Sequence, residues 1–271
     1  MLDNLDRDIR LEFMAWPKVR DRILAGWRTA VVAVGSTEQH GPHLPICTDE
    51  LLGTALACGV ARRLGDALVA PTVRPGFSPH HLAFPGTLTV GHDTLAAVIG
   101  DYCESLAAHG FTNIAVLCSH GGNSPTIRLA CHAIQRRLPR VHVVPIYDLM
   151  QYATGDRPFF GREEGLHANL IETAWMLHLA PHLVDMSAAV DEDIGLGSAS
   201  LKDAGVPLFH GSVAHLSASG VLGRPRGATA KLGAEVFERM VDLVADEVRS
   251  LIAWFENKPA ASDRGDRKER I

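Results

Sequence analysis

Short apolar runs alternate with longer amphipathic stretches along most of the chain. The run 30–34, Ala-Val-Val-Ala-Val, is typical of a strand buried on both faces of a parallel sheet. Three more apolar runs predict strands, and stretches with helical spacing predict helices between them. The predicted strands cover 30–34, 68–73, 114–118 and 141–147, and the predicted helices begin near 48, 93, 124, 169 and 229. This order of elements predicts an α/β fold with a mostly parallel sheet.

Residues at the ends of these segments support the same division of the chain. Thr48 or Asp49 is predicted to cap the first of these helices and Asp93 the second. Gly65 is predicted to end the first one. Segments without clear periodicity are predicted to be irregular, and they are the loops 77–90 and 148–166, the region 187–227 near the functional site, and a disordered tail at 257–271.

Composition and charge restrict the classes of partner. The 271 residues are 46% hydrophobic, which is enough for one large core, and we predict a single domain over 1–256. The net charge is −5 and Lys and Arg do not cluster before the extreme C-terminus, so a small molecule is expected as the partner rather than nucleic acid. No apolar run is long enough for a membrane span, and the first residues lack the pattern of a leader, which predicts a cytoplasmic protein with reduced thiols.

Potential metal ligands are concentrated in residues 34–50. Glu38 and His40 are two positions apart, so in an extended segment both side chains point the same way. Asp49 follows nine residues after His40. Carboxylate and imidazole ligands suit zinc, manganese or iron, and the segment follows a buried strand, where open α/β sheets bind ligands. The alternative is a solvated loop in which Asp49 serves only as a helix cap.

His120 follows the predicted strand 114–118 in the way that Glu38 and His40 follow theirs. Parallel pairing of the two strands would bring the three side chains to one edge of the sheet. The amides of Gly121 and Gly122 could face an anion or a developing oxyanion, or the two glycines could merely form a tight connection to the next helix.

Glu172 has two interpretations. It lies three residues after Asn169 in the pattern of a capping box, where its carboxylate would bond to the start of a helix, and it could also be a metal ligand. His167 lies five residues before Glu172, roughly 140° around a helix, so the two do not share a face of one regular helix. We therefore expect His167 to precede the helix and to approach the site from the loop.

Four motifs together resemble the creatininase family of metal-dependent amidohydrolases. They are GSTEQHGPHLP at 35–45 with Asp49, then HXXFPGT at 81–87, SHGGN at 119–123 and HAXXXET at 167–173. The resemblance implies a three-layer α/β/α sandwich, two divalent ions per chain and a homo-oligomer, commonly a hexamer. It also implies that Asp49 bridges the ions, within the ligand set Glu38, His40, Asp49, His120 and Glu172.

Several positions depart from the family pattern. Cys118 stands where the family commonly has asparagine, Asn169 where it has glycine, and Arg224 where it has aspartate, so substrate contacts are expected to differ. Gly122 stands where the creatinine-hydrolysing branch has a glutamate ligand. Creatinine is therefore not the expected substrate.

These residues predict hydrolysis of a C–N amide bond in a small molecule. Hydroxide held between two zinc, manganese or iron ions would attack the carbonyl. His167, outside the ligand set, is the candidate general acid for the leaving nitrogen, or a residue that orients a ligand or the substrate. Cyclic amides, formamides and short peptides all fit. Contacts to the substrate or to the ligands are expected from His43, His81, Gly121, Gly122 and Asn123, whereas His80, His92, His132 and His142 are expected to be structural or surface residues.

Two other classes of function remain open. A cysteine hydrolase would use Cys118 as its nucleophile, although a cysteine in a buried strand is more often a small hydrophobic residue. A non-enzymatic module would bind a nucleotide phosphate at Gly121 and Gly122, but the chain has neither a Gly-X-Gly-X-X-Gly motif nor a Walker lysine. Metal content would separate the three classes.

Overall fold

Four parallel strands in the order β2-β1-β3-β4 form the central sheet. The structure is a computed structural model, and it describes residues 6–146, 165–192 and 211–257. Every residue of β1 and of β3 is buried, as expected for the central strands of a sheet that helices cover on both faces. The strands are β1 (Thr29–Val34), β2 (Ala67–Val69), β3 (Asn113–Cys118) and β4 (His142–Ile146).

Helices connect these strands and cover the sheet. In the described residues they are α1 (Trp16–Leu24), α2 (Thr48–Leu64), α3 (His92–Ala108), α4 (Ser124–Arg137), α5 (Leu170–Leu179) and α6 (Ala230–Glu256). α3 contacts α4, which packs on β3 and β4, whereas α2 packs on β1, β2 and α6. The predicted α/β fold with a mostly parallel sheet is confirmed.

The connections from β1 and β3 run in opposite directions across the sheet. From β1 the chain passes through α2 to β2 on one side, and from β3 it passes through α4 to β4 on the other. β1 and β3 pair over their whole length, up to Val34 opposite Cys118, so their carboxyl ends lie side by side. Open α/β sheets bind their ligands at such a switch point.

β2 is shorter than the strand predicted at 68–73. Pro71 has no N–H to donate to the ladder, so regular pairing ends before it. The chain rejoins the sheet at an isolated bridge between Val34 and Val73. The apolar run is therefore buried along most of its length, but only its first part is a strand.

The predicted caps of α2 and α3 are wrong. α2 begins at Thr48, so Thr48 and Asp49 both lie inside its first turn instead of at the N-cap. α3 begins at His92, which places Asp93 in the first turn as well. Gly65 ends α2 as predicted, with a φ of 91° that favours glycine. The Asp49 side chain is directed away from the helix end and into the cluster described below.

A two-stranded antiparallel sheet lies outside the central one. It pairs β5 (Gly165–His167) with β6 (Leu222–Gly223), so the predicted irregular region 187–227 contains a short strand. Residues 193–210 of that region, residues 148–164 of the predicted loop and the predicted tail from 258 onward lie outside the described residues. None of the described helices combines the length and apolar character that crossing a membrane requires.

Gly233→Ala is expected to destabilise the protein by about 1–3 kcal/mol, the usual cost of overpacking a close contact. A Cβ at Gly233 would lie closer to the Ala174 carbonyl oxygen than van der Waals contact allows, because α5 and α6 approach each other there. Urea denaturation of wild type and variant measures the change. Gly211→Ala is the control, since a Cβ there meets no atom of the described residues within 4 Å, and equal stability of the two variants would contradict the prediction.

Candidate metal centre

Glu38 and His40 lie in the loop that follows β1, and both side chains are fully buried. The Glu38 N–H donates to the Ile46 carbonyl at 3.0 Å, which fixes the backbone of this loop. One ligand atom from each of Glu38, His40 and Asp49 lies within 4.8 Å of the other two. The structure therefore brings together the three candidates of the first motif.

The Asp49 carboxylate lies between two histidines. Its Oδ1 is 3.3 Å from His40 Nε2, and its Oδ2 is 3.3 Å from His120 Nδ1. Asp49 is only 2% exposed, and Oδ2 has no hydrogen-bond partner. A carboxylate that turns one oxygen to each side can serve two cations at once.

Backbone carbonyls hold the outer nitrogens of His40 and His120. His40 Nδ1 donates to the Glu38 carbonyl at 3.3 Å, and His120 Nε2 donates to the Phe77 carbonyl at 3.0 Å. Since a carbonyl only accepts, His40 Nε2 and His120 Nδ1 are the atoms left to face the carboxylates. Metal-binding histidines are commonly held in this way.

Burial and charge oppose each other in this cluster. Burial lowers the pKa of His40, but the carboxylates of Asp49, Glu172 and Glu38 together outweigh burial and raise the pKa to about 9. Burial also opposes the charged form of His120, and the Glu38 and Asp49 carboxylates nevertheless raise its pKa well above the ordinary value. The carboxylates therefore require positive charge beside them, which a divalent cation can supply in place of protons.

Unpaired polar atoms point to the same conclusion. Glu38 Oε1, His40 Nε2 and Asp49 Oδ2 are buried without a hydrogen-bond partner, a costly state for polar atoms. All three are oxygen or imidazole nitrogen atoms of the kind that bind zinc or manganese. The residues present therefore fit a metal centre.

Glu172 forms the predicted capping box, and its carboxylate also lies next to the histidines of the cluster. Its Oε2 accepts from the Asn169 N–H at 3.3 Å, and Asn169 Oδ1 accepts from the Glu172 N–H at 3.0 Å, which completes a capping box at the start of α5. The same carboxylate provides a ligand atom within 4.8 Å of one from His40 and one from His167. Burial raises the pKa of Glu172 to about 7.

A family model described as creatinine amidohydrolase matches residues 12–248. The chain belongs to the creatininase family. A mycofactocin precursor peptide peptidase from Mycolicibacterium smegmatis is 34% identical over 227 residues, which cover 81% of this chain and 83% of that protein. A creatinine amidohydrolase from Pseudomonas putida is 29% identical over 254 residues, which cover 87% and 94% of the two chains. The solved structure "Creatininase Mn" superposes with a TM-score of 0.76 at 27% identity, over 89% of this chain and 98% of that one.

Membership of the creatininase family confirms the predicted amidohydrolase acting on C–N bonds. The related structures include the creatininase with Mn in its name and a mutant creatininase of Zn-Zn type. The clusters of histidine and carboxylate groups in this chain are able to hold metal as well.

His167 lies at the end of β5, immediately before α5, as predicted for a residue that precedes the helix. Its Nε2 donates to the Gln39 carbonyl at 2.7 Å, and its Nδ1 lies 3.8 Å from Glu38 Oε1. Burial lowers the pKa of His167 to about 3, so the ring is neutral. In this creatininase-family chain Nδ1 is therefore the basic atom turned toward the cluster.

His80 lies in the cluster, contrary to the prediction of a structural or surface residue. It is 3% exposed, its ring stacks on that of His120 at 5.7 Å, and ligand atoms of His80, His120 and Glu38 lie within 4.8 Å of one another. A 3-10 turn over Pro79–His81 brings His80 and His81 to the same centre. The loop 77–90 has no periodicity, so no pattern in the sequence predicts this turn.

Ser78 is a second residue that the sequence does not single out. Its hydroxyl donates to Glu38 Oε2 at 2.5 Å and lies 2.5 Å from the Ser36 hydroxyl. Both serines are fully buried. They hold one oxygen of the Glu38 carboxylate in place and leave the other oxygen free to face the histidines.

Gly122 has no room for a side chain. A Cβ there would collide with the Phe77 carbonyl oxygen and with His120 Nε2. The glutamate that the creatinine-hydrolysing branch carries at this place would therefore displace the His120 ring from its backbone partner.

The remaining predicted contact residues differ in their roles. Asn123 joins two loops, because its amide donates to the Gly35 carbonyl at 2.8 Å and its Oδ1 accepts from the Phe77 N–H at 2.8 Å. His43 Nε2 lies 2.9 Å from the Thr173 hydroxyl, so this histidine contacts α5. Gly121 is exposed and lines the cavity described next.

A cavity of about 80 Å³ opens on the cluster within the described residues. Its polar wall includes Glu38, Asp49 and His120, and its apolar wall consists of Leu166, Val213 and Leu222. A larger cavity of about 420 Å³, lined by residues of α2, α5 and α6, shares none of its lining residues with the first one. The chemistry therefore belongs to the smaller cavity.

Proposed function

We propose that this creatininase-family enzyme hydrolyses amide bonds with two divalent cations held on either side of Asp49. The position of the Asp49 carboxylate between His40 and His120 is the observation that carries the proposal. Glu38, Asp49 and His120 would hold one cation, and His40, Asp49 and Glu172 the other. Zinc, manganese and iron all suit these ligands.

Divalent cations held by these residues would lower the pKa of the attacking water and polarise the substrate carbonyl. His167 would move the proton that this reaction releases. Its Nε2 is committed to the Gln39 carbonyl, so Nδ1 accepts the proton on the side of the cluster and delivers it to the leaving nitrogen. An amide nitrogen leaves readily only after protonation, which gives His167 its role as general acid.

The substrate proposed for the first assays is a short peptide. The relative at 34% identity is a peptide peptidase, and Gly122 leaves no space for the glutamate of the creatinine-hydrolysing branch. Leu166, Val213 and Leu222 would contact apolar atoms next to the scissile bond. Formamides and cyclic amides fit the same chemistry and belong in the same screen. A homohexamer and a cytoplasmic location remain predictions.

Purified protein is expected to contain about two divalent ions per chain, because the ligand set exceeds the four positions of one tetrahedral zinc. Elemental analysis of the purified protein measures this number, and an assay with short peptides, formamides and creatinine follows on the same sample. Cleavage of peptides or formamides with creatinine left intact supports the proposal. Absence of metal, together with no activity after addition of zinc, manganese or iron, would contradict it.

A further inference from the structure

The Gln39 side chain contacts two histidines of the centre, although it contributes no atom to the proposed ligand set. It lies between Glu38 and His40 in the sequence and is 6% exposed. Its amide nitrogen lies 2.8 Å from His81 Nδ1, 3.0 Å from His167 Nε2 and 3.1 Å from the Gly220 carbonyl oxygen. The positions of the protons among these atoms decide what each histidine can do.

Two backbone groups fix the orientation of the Gln39 amide. The Gly41 N–H donates to Oε1 at 2.8 Å, so this atom is the oxygen. Nε2 donates to the Gly220 carbonyl, which only accepts. The reversed amide would face an N–H with its own N–H and a carbonyl with its own oxygen. One proton of Nε2 is therefore used by Gly220, and one remains.

The remaining proton of Nε2 is directed to His81. His81 Nδ1 accepts it at 2.8 Å and cannot carry a proton of its own, so the His81 proton lies on Nε2. That nitrogen is 3.3 Å from Glu38 Oε1. His81 therefore presents an N–H to the Glu38 carboxylate, even though its position would allow it to join Glu38 and His167 around a metal.

His167 has the opposite orientation. Its Nε2 donates to the Gln39 carbonyl at 2.7 Å, so the proton lies on the side away from the cluster and Nδ1 faces Glu38. The 3.0 Å contact between Gln39 Nε2 and His167 Nε2 is not a hydrogen bond, because both nitrogens use their protons elsewhere. His81 and His167 thus turn opposite atoms, an N–H and a lone pair, to the same carboxylate oxygen.

The backbone around Gly220, whose carbonyl accepts from Gln39 Nε2, is fixed by its own contacts. Gly220 has a φ of 84°, and a Cβ there would overlap Gln39 Oε1, so only glycine allows the approach. The carboxylate of Glu192 accepts from the Ala218 and Ser219 N–H groups at 2.8 and 3.0 Å, which fixes the two preceding positions. The orientation of Gln39 is therefore imposed from both sides.

We propose that Gln39 is a positioning residue that keeps the Nε2 of His81 protonated, so that the His81 N–H lies toward Glu38 Oε1 and His81 is excluded from the metal ligands. Its backbone carbonyl holds His167 in the reverse orientation. The assignment of His81 does not depend on hydrolysis, whereas the use of the His167 lone pair rests on the proposed function. One glutamine thus gives the two histidines different roles. His167 binds a proton during the reaction, and His81 orients the metal ligand Glu38.

Nitrogen-15 spectra of zinc-loaded protein, labelled only at histidine, test the proposal directly. His81→Gln removes the His81 signals and so assigns them. In wild type, His81 Nδ1 is expected to resonate as a bare imidazole nitrogen. In Gln39→Glu, whose carboxylate only accepts, it is expected to shift to the range of a protonated nitrogen, while the His167 signals stay in place. A protonated His81 Nδ1 in wild type, or no shift in Gln39→Glu, would overturn the proposal.

Zinc content provides a second test that does not depend on assay of the substrate. His81→Gln keeps an N–H where His81 Nε2 lies but cannot serve as an imidazole ligand, so zinc content per chain is expected to equal that of wild type. A loss of zinc in this variant would make His81 a ligand and refute the inference. Gln39→Met and Gln135→Met form a matched pair, because among the described residues the Gln135 side chain forms hydrogen bonds only with backbone groups of 138–143. The His81 signals should change in the first and not in the second, and a change in both would refute a specific role for Gln39.

Discussion

Asp49→Asn is expected to remove bound metal and hydrolytic activity together. In the wild type, one oxygen of Asp49 lies 3.3 Å from His40 and the other lies 3.3 Å from His120. The variant replaces one of these oxygens by an amide NH₂ group, which donates hydrogen bonds and does not bind a cation. The loss should exceed the roughly 100-fold effect that removal of a residue supporting a metal ligand can produce. Elemental analysis and turnover of the purified variant measure the two effects.

Asp93→Asn is the matched control for this change. Asp93 also lies in the first turn of a helix, but it is exposed and belongs to none of the ligand groups among the described residues. Its variant should keep full metal content and turnover. An Asp49→Asn variant that is fully loaded and active would show that Asp49 serves the helix and not the centre.

Removal of metal by a strong chelator is expected to abolish turnover, whereas Cys118→Ser is expected to leave most of the rate. The Cys118 thiol donates to the His120 carbonyl at 2.9 Å, and a serine hydroxyl can donate to the same oxygen. The two mechanisms are easily separated, because loss of a covalent nucleophile lowers kcat by on the order of 10⁶. Turnover is measured before chelation, after it, and after zinc or manganese is added back.

Cys131→Ser provides the reference for the cost of replacing a buried thiol by a hydroxyl. Cys131 is 2% exposed in α4 and belongs to no ligand group among the described residues. Any effect that both serine variants share reflects stability alone. A folded, metal-loaded Cys118→Ser variant without activity, beside a chelated wild type that still turns over, would replace the metal mechanism by a thiol mechanism.

The alternation of apolar and amphipathic segments was sufficient to predict the four strands of the central sheet and the helices α2 to α6, but it did not predict α1. Burial on both faces makes β1 and β3 continuous apolar runs, and such runs are visible in a sequence. The length of β2 was not predictable from hydrophobicity, since Pro71 ends the regular ladder while the chain around it stays buried. A hydrophobic run in a sequence therefore indicates burial, but it does not indicate where the backbone hydrogen bonds of a strand begin and end.

The ligand candidates of the first motif were predicted because close spacing limits their separation in space. The role of Asp49 was less certain, since an aspartate near a helix start has the same sequence pattern whether it caps the helix or faces a site. His80 was missed because its direction depends on a single 3-10 turn. Ser78 and Gln39 were missed for a related reason, as their importance lies in protons that they donate over long sequence separations.

The position of the centre at the ends of β1 and β3 also affects how the protein folds. The candidate ligands extend from Glu38 to Glu172, and they meet only after non-local parallel strands have paired. Closing such long loops costs chain entropy before native contacts offset that cost. Assembly of the centre is therefore expected late on the folding pathway. A cation that binds only the assembled centre then adds to native stability by mass action and slows unfolding, while the early rate of collapse is unchanged.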